Sequence, residues 1–418
     1  MAIQVDSSTA RPGFASRKRM SIPDFVPTAT MVGLVLLLQT GAIYVAIGLA
    51  GGLQAAVTIA VALVALICVV FPNDCALARR SPRLLLAALL AYVVLISVQL
   101  ALVPASSFDM YIMRVKYAIF AASGILVVAN VRSLGSVLMA VRVAVAIAVL
   151  CNLADFAVPA VRSLLTSFHP SKALYLGRAA GLFANPNFSA AAIAAGTAVG
   201  AVGLRRPLRL GFYAVSLVGI FVTYSRGGIL LWLASVMMAE FIPIDVSKGS
   251  RLKPIAGLLL GAACAALFVL VAQQFIPALN ESLYSLTTED TRSRLTTLQD
   301  GSARERLYLI QYGLAQFGQS PIWGNGVGYG YTWELRAPVH NVYVLMLVEH
   351  GLLGALWLAF FIYATFKLPR PIGIWLAAFL LLKGLFNHNV FNELTDALGI
   401  VAFWTAALFA SEQSGRMR

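Results

Sequence analysis

Charge is what this sequence has least of. Only 11% of its 418 residues are Asp, Glu, Lys or Arg, and 60% are hydrophobic, whereas a soluble domain carries about a quarter charged residues. That balance excludes a soluble enzyme, a secreted disulfide scaffold and a disordered chain, and leaves a polytopic membrane protein. Cysteine is equally scarce. The four present (Cys68, Cys75, Cys151 and Cys264) lie in or beside apolar stretches without CxxC spacing, so they read as small apolar side chains with no disulfide or metal role. Reaction signatures are missing as well. No Walker A, HExxH, DxD-like carboxylate pair or GxSxG stands on an outward-facing segment, which argues against an ATP motor, a zinc hydrolase and a metal-dependent sugar-nucleotide transferase. No metal and no cofactor is expected.

Long apolar runs are what the chain does have. Crossing the hydrocarbon of a bilayer takes about 20 apolar residues in a helix. Candidate spans fall near 29–49, 53–71, 84–103, 111–130, 134–156, 188–204, 210–225, 227–242, 255–276, 339–366, 372–387 and 395–411, twelve in all. The expected fold is an all-α polytopic membrane protein: a cytoplasmic tail at 1–28, spans one to nine over 29–276, a helical periplasmic segment at 277–338, spans ten to twelve over 339–411 and a cytoplasmic tail at 412–418. The first apolar run exceeds a signal-peptide core and has no clear cleavage site, so it reads as a span. With the N-terminus inside, every inner segment carries at least one Lys or Arg, while the outer turns at 50–52 and 388–394 carry none. This is the positive-inside pattern. The formal charge of +14 is thereby assigned to cytoplasmic loops among membrane lipids, not to nucleic acid.

Basic residues on the outer side cannot be topology signals. Arg226 lies in Tyr224-Ser225-Arg226-Gly227-Gly228, a hinge between spans seven and eight. An arginine there costs up to about 2.5–3.5 kcal/mol toward mid-bilayer, so it either snorkels or lines a cavity that holds an anion. The two glycines allow backbone and ligand to approach closely. His340, in Pro338-Val339-His340-Asn341, is expected in the first turn of span ten. A neutral imidazole can take a proton from a sugar hydroxyl, and a helix N-terminus disfavours the imidazolium. A capping box, Ser302-x-x-Glu305, is expected to open a helix closed by Gly318 before Pro321. Its first turns hold Arg304 and Arg306, with Arg292 and Arg294 upstream; these form either a phosphate site or a solvated basic face. Arg178, Asn185 and Asn187 offer a third cation and hydroxyl partners, although Asn-Pro-Asn is also ordinary turn chemistry. Arg114 and Lys116 are placed at the outer start of span four, lining the same cavity, and Gly324–Gly330 reads as a flexible connection. His169, His350 and His388 receive no role.

Taken together, four stretches resemble the O-antigen ligase family and its relatives among the O-antigen polymerases. They are Arg178-x-x-Gly-x-Phe-x-Asn-Pro-Asn187; Tyr224-Ser-Arg-Gly-Gly228; Arg306 ahead of Pro321-x-x-Gly-x-Gly326; and His340-Asn341 leading to Glu349-x-Gly351-Leu-Leu-Gly354. They occur in order across roughly residues 170–355. Val344 stands where the family usually has Leu, one apolar residue for another. The resemblance implies a metal-independent, inverting glycosyltransferase of GT-C-like membrane architecture. Such ligases move an O-antigen glycan from undecaprenyl pyrophosphate to lipid A–core oligosaccharide at the periplasmic face of the inner membrane. It further implies His340 acting on the acceptor hydroxyl, and Arg226 with Arg304 or Arg306 on the pyrophosphate, with Arg178, Asn187 and Asn341 as further substrate contacts. A polymerase, or less plausibly a lipid-glycan transporter, is the alternative.

Overall fold

The computed structural model describes residues 25–49, 52–71, 82–175, 177–241, 301–335, 337–369 and 371–416. All regular structure among them is helical: α1 (Phe25–Gln39), α2 (Ala42–Leu49), α3 (Leu53–Val70), α4 (Arg83–Leu102), α5 (Phe108–Ala129), α6 (Leu134–Ala157), α7 (Pro159–Phe168), α8 (Pro186–Gly200), α9 (Arg206–Phe221), α10 (Arg226–Phe241), α11 (Gly301–Gln319), α12 (Tyr329–Thr332), α13 (Val342–Phe366), α14 (Ile372–Phe386) and α15 (Leu394–Arg416). Short 3₁₀ turns occupy Pro170–Tyr175 and Asn389–Phe391. Helix therefore covers every candidate span within the described residues; the ninth, near 255–276, lies outside them, as do Cys75, Cys264, Arg292 and Arg294. Six helices are long and apolar enough to cross a membrane, and the bent pair α1–α2 adds a seventh. The chain is a multi-pass membrane protein. Its centre is a continuous apolar core in which Met31, Tyr92, Tyr117, Phe120, Phe361, Trp375 and Phe403 are all buried.

Two of the expected spans are broken, each at a glycine. The first turns through 81° between α1 and α2. Gly41 there adopts φ +83°, and a Cβ on it would stand 2.7 Å from the Phe183 ring, so only glycine fits. The tenth span breaks at Gly351, with φ +60° and ψ −151°. The loop from Pro321 to Gly326 fills the gap with main-chain hydrogen bonds: Asn325 N–H to Val348 O (2.9 Å), Gly326 N–H to Glu349 O (3.0 Å) and Leu352 N–H to Pro321 O (2.8 Å). The fold-back is sharp, because a Cβ at Gly354 would lie 2.7 Å from Met346 O, whereas eight residues of straight helix separate two positions by about 12 Å. Gly324–Gly330 is thus not a loose connection. It is bonded to α13 on one side and, through Ser107 N–H to Val327 O (2.7 Å), to the α4–α5 turn on the other.

Charged groups lie at this break. Arg114 on α5 and Glu349 on α13 form an ion pair with both side chains fully buried. Arg114 Nη1 also lies 2.9 Å from His350 Nε2, and its Nε donates to Asn392 Oδ1 at 3.2 Å. A guanidinium cannot accept, so His350 Nε2 does. The ring is then neutral and donates Nδ1–H to Gln99 Oε1, while Gln99 Nε2 donates to the carbonyls of Trp323 and Glu349. Arg114, expected beside an open cavity, instead ties four segments together inside the protein, because in low dielectric its charge needs Glu349 at hand. The break makes a specific prediction. Gly351→Ala places a Cβ against Ile322 O in a left-handed backbone and should cost about 1–3 kcal/mol or more, read as a lowered midpoint in thermal unfolding; an unchanged midpoint would show that the bend tolerates a side chain.

Candidate functional site

The hinge before α10 is strained. Tyr224 has φ +49°, the one non-glycine residue with positive φ among those described, and such backbone persists only where packing holds it. Here the ring is buried and lies against Phe156 and Phe221. Ser225 then starts the helix: its Oγ accepts from Gly228 N–H at 3.1 Å, which places Arg226 in the first turn of α10. The glycines that follow are contact surfaces. Gly228 packs on Ala190 of α8, and a Cβ at Gly227 would stand 3.2 Å from Phe386 at the end of α14.

Arg178 supports the same hinge from outside it. Buried in the loop before α8, it donates from Nε to Thr223 O and from Nη2 to Asn187 Oδ1, both at 2.9 Å, and lies over the Tyr175 ring. Asn185 caps α8 by accepting from Asn187 N–H at 2.8 Å. The Arg178–Asn187 stretch therefore braces the backbone immediately before Arg226.

His340 lies before α13, not in its first turn. Asn341 is the cap, its Oδ1 accepting from Tyr343 and Val344 N–H at 3.0 and 3.1 Å, and an Asn cap displaces the preceding residue into the loop. His340 Nδ1 stands 3.0 Å from Nδ1 of His388, with the rings edge to face. Burial, and then the nearby Arg306 guanidinium, push His340 down to about 4. His388 is pushed down to about 3 by burial and by the neighbouring His340 and Arg306 charges. Both imidazoles are neutral near pH 7.

Arg306 is carried on α11, whose inner face (Leu309, with Ile310 and Tyr312) packs on Trp333, Val339, Val344 and Val348. Ser302 is already inside α11, which includes Gly301, so it is not the cap; Gly318 lies in the last turn, one residue before the helix ends. Arg304 precedes Arg306 by two residues, its side chain lying outside those described.

The first turns of α10 and α13 and the end of α14 come together: Gly227 meets Phe386, and Gly384 meets Val342 and Tyr343. His340, His388 and Arg306 lie within electrostatic reach of one another at that end. Gly227, next to Arg226, contacts α14 two residues before His388. His388 and Tyr331 are members of this cluster that the sequence reading left out. Tyr331 packs edge-on to His388, donates to Asn389 Oδ1 at 3.2 Å and accepts from Asn392 Nδ2 at 2.7 Å. Ionisable residues inside apolar spans are functional candidates on cost alone, a signal that Glu349 and His350 carry and that His388, in a short turn, does not.

Comparison with known proteins adds one finding. Residues 211–359 match the family model described as O-antigen ligase. The match covers about a third of the chain, and supports a likeness to the O-antigen ligase family over that segment. Members of that family are membrane glycosyltransferase-like enzymes of O-antigen and lipopolysaccharide pathways. No curated protein and no solved structure matches the chain. The matched segment includes Arg226, Arg306, His340 and the Gly351 break, while Arg178, Asn187 and His388 lie outside it. The brace yields a prediction. Arg178→Lys keeps the charge but loses the fork that spans Thr223 and Asn187; it should lower protease resistance of the 177–187 loop in limited digestion, and wild-type cleavage rates would remove the brace.

Proposed function

We propose that this protein is an O-antigen ligase. It transfers a glycan from undecaprenyl pyrophosphate to lipid A–core oligosaccharide at the periplasmic face of the bacterial inner membrane, with inversion and without a metal. The observation that carries this reading is the grouping of a neutral, half-buried His340 with Arg306 at the capped start of α13, inside the segment that matches the O-antigen ligase family model. The topology proposed with it has twelve spans, cytoplasmic termini and the hinge, His340 and α11 on the periplasmic side.

In this mechanism Arg226 and Arg306, or Arg304 on the same helix, hold the pyrophosphate. The α10 N-terminus adds the positive end of its dipole. The same groups stabilise charge on the leaving pyrophosphate. Arg178 and Asn187 hold the hinge at the angle that presents Arg226, and Asn341 fixes the backbone beside His340. His340 takes the proton of the acceptor hydroxyl, whose oxygen attacks the anomeric carbon from the face opposite the pyrophosphate. Donor binding also prepares the base. An anion on Arg306 offsets the cationic part of what depresses His340, burial being the larger part, so its basicity rises when the donor arrives.

Two measurements test this. His340→Ala should reduce glycan transfer by about 10²–10⁴-fold while membrane insertion is unchanged, and near-normal transfer would refute the base. Because the free enzyme's imidazole is held near 4 rather than the ordinary 6.5, the base form persists to low pH. The acid limb of kcat/KM should lie far below 6.5, and that of kcat should lie above it in pH. Purified protein given lipid-linked glycan with and without lipid A–core separates the reading from its rival, since a polymerase lengthens the donor when no core is present.

A further inference from the structure

We infer that His388 is a positioning residue that fixes the tautomer of His340 and shares the charge His340 gains. This rests on the reading of His340 as the base. The two Nδ1 atoms are 3.0 Å apart and the ring centroids 4.7 Å apart at 64°. A hydrogen bond between two Nδ1 atoms needs a proton on one and a lone pair on the other. When His340 is the donor, its Nε2 carries the lone pair and is a base; when His388 is the donor, His340 presents Nε2–H and cannot take a proton. The direction of this one bond therefore decides whether His340 can work.

His388 is held for that task by groups with no other evident use. Its turn is stitched by Asn389 N–H to Asn387 Oδ1 at 3.0 Å and by Tyr331, which bridges Asn389 and Asn392. Asn392 in turn accepts from the buried Arg114. The chain of contacts runs from the Arg114–Glu349 pair, through Asn392 and Tyr331, to the His388 ring. A ring anchored this way keeps its Nδ1 lone pair directed at His340.

The proton balance is closed. The acceptor O–H breaks and its proton goes to His340 Nε2; the oxygen bonds to the anomeric carbon; the bond from that carbon to phosphate breaks, and its electron pair leaves on the pyrophosphate. His340, now an imidazolium, still donates Nδ1–H to His388, and this hydrogen bond strengthens because its donor has become charged. His388 thus plays the part of the orienting group in a triad, with a neutral imidazole in place of a carboxylate.

The test uses full-length protein in proteoliposomes, labelled with ¹⁵N-histidine. The sequence has four histidines, so each ring can be assigned from single His→Gln variants. In wild-type protein at neutral pH, His340 should show a protonated Nδ1 and an unprotonated Nε2, and His388 the reverse. The opposite pattern would overturn the proposal without any mutant assay. His388→Ala should mix the His340 tautomers and lower kcat about 10–100-fold, the scale for a supporting partner of a functional histidine, with KM for the lipid-linked donor unchanged. His388→Asn, whose Oδ1 can accept from Nδ1–H, should recover part of both. Equal behaviour of the Ala and Asn variants, or an Ala variant with wild-type kcat and tautomer, would sink the inference. His340→Ala separates the two readings: if it is active the base assignment fails, whereas if it is inactive and His388→Ala is normal, only the positioning role fails.

Discussion

The ion pair between Arg114 and Glu349 is the contact on which this end of the helix bundle depends. Two full charges placed where no water reaches them attract strongly and cost several kcal/mol each to desolvate, so they are tolerated only where every neighbour is arranged around them. Gly330 packs close to the Glu349 carboxylate, and Arg114 reaches His350 and Asn392. One guanidinium thereby fixes α5, the break in α13, the glycine loop and the turn before α15. Removing either partner strands the other charge, and the arrangement of Tyr331 and His388 would go with it.

In the proposed site Arg306 is carried on α11, and the other groups stand at interruptions of helix. Arg226 follows a strained hinge, His340 precedes a cap, and His388 lies just before a 3₁₀ turn. Each is at a place where a helical hydrogen-bond ladder starts or stops. On the proposed mechanism the surrounding helices supply rigidity, and the interruptions supply chemistry.

Much of this was readable from residue types. Apolar runs located the helices because hydrocarbon imposes a length, and Asn341, Ser225 and Asn185 act at helix starts as short polar residues do. Arg226, Arg306 and His340 stood out by position alone. What could not be read was pairing. His388 looked like one polar residue in a short turn, since nothing local says that α14 ends beside α13. The bend at Gly351 was hidden for a similar reason: a long, mostly apolar stretch from Val342 to Phe366 hides a backbone angle that the inserted Pro321–Gly326 loop makes stable. Arg114 was placed correctly in the chain and wrongly in its surroundings, because its counter-ion is more than 200 residues away.

The shortness of α8 and α9 has a mechanical result. These helices of 15 and 16 residues pack against each other, and that length of helix rises only about 24 Å, less than the roughly 30 Å of a bilayer's hydrocarbon. On the proposed topology the lipid beside them has to thin to meet their ends. A phosphate headgroup diffusing along the outer leaflet would dip toward the hinge there, meeting Arg226 without being lifted out of its own layer.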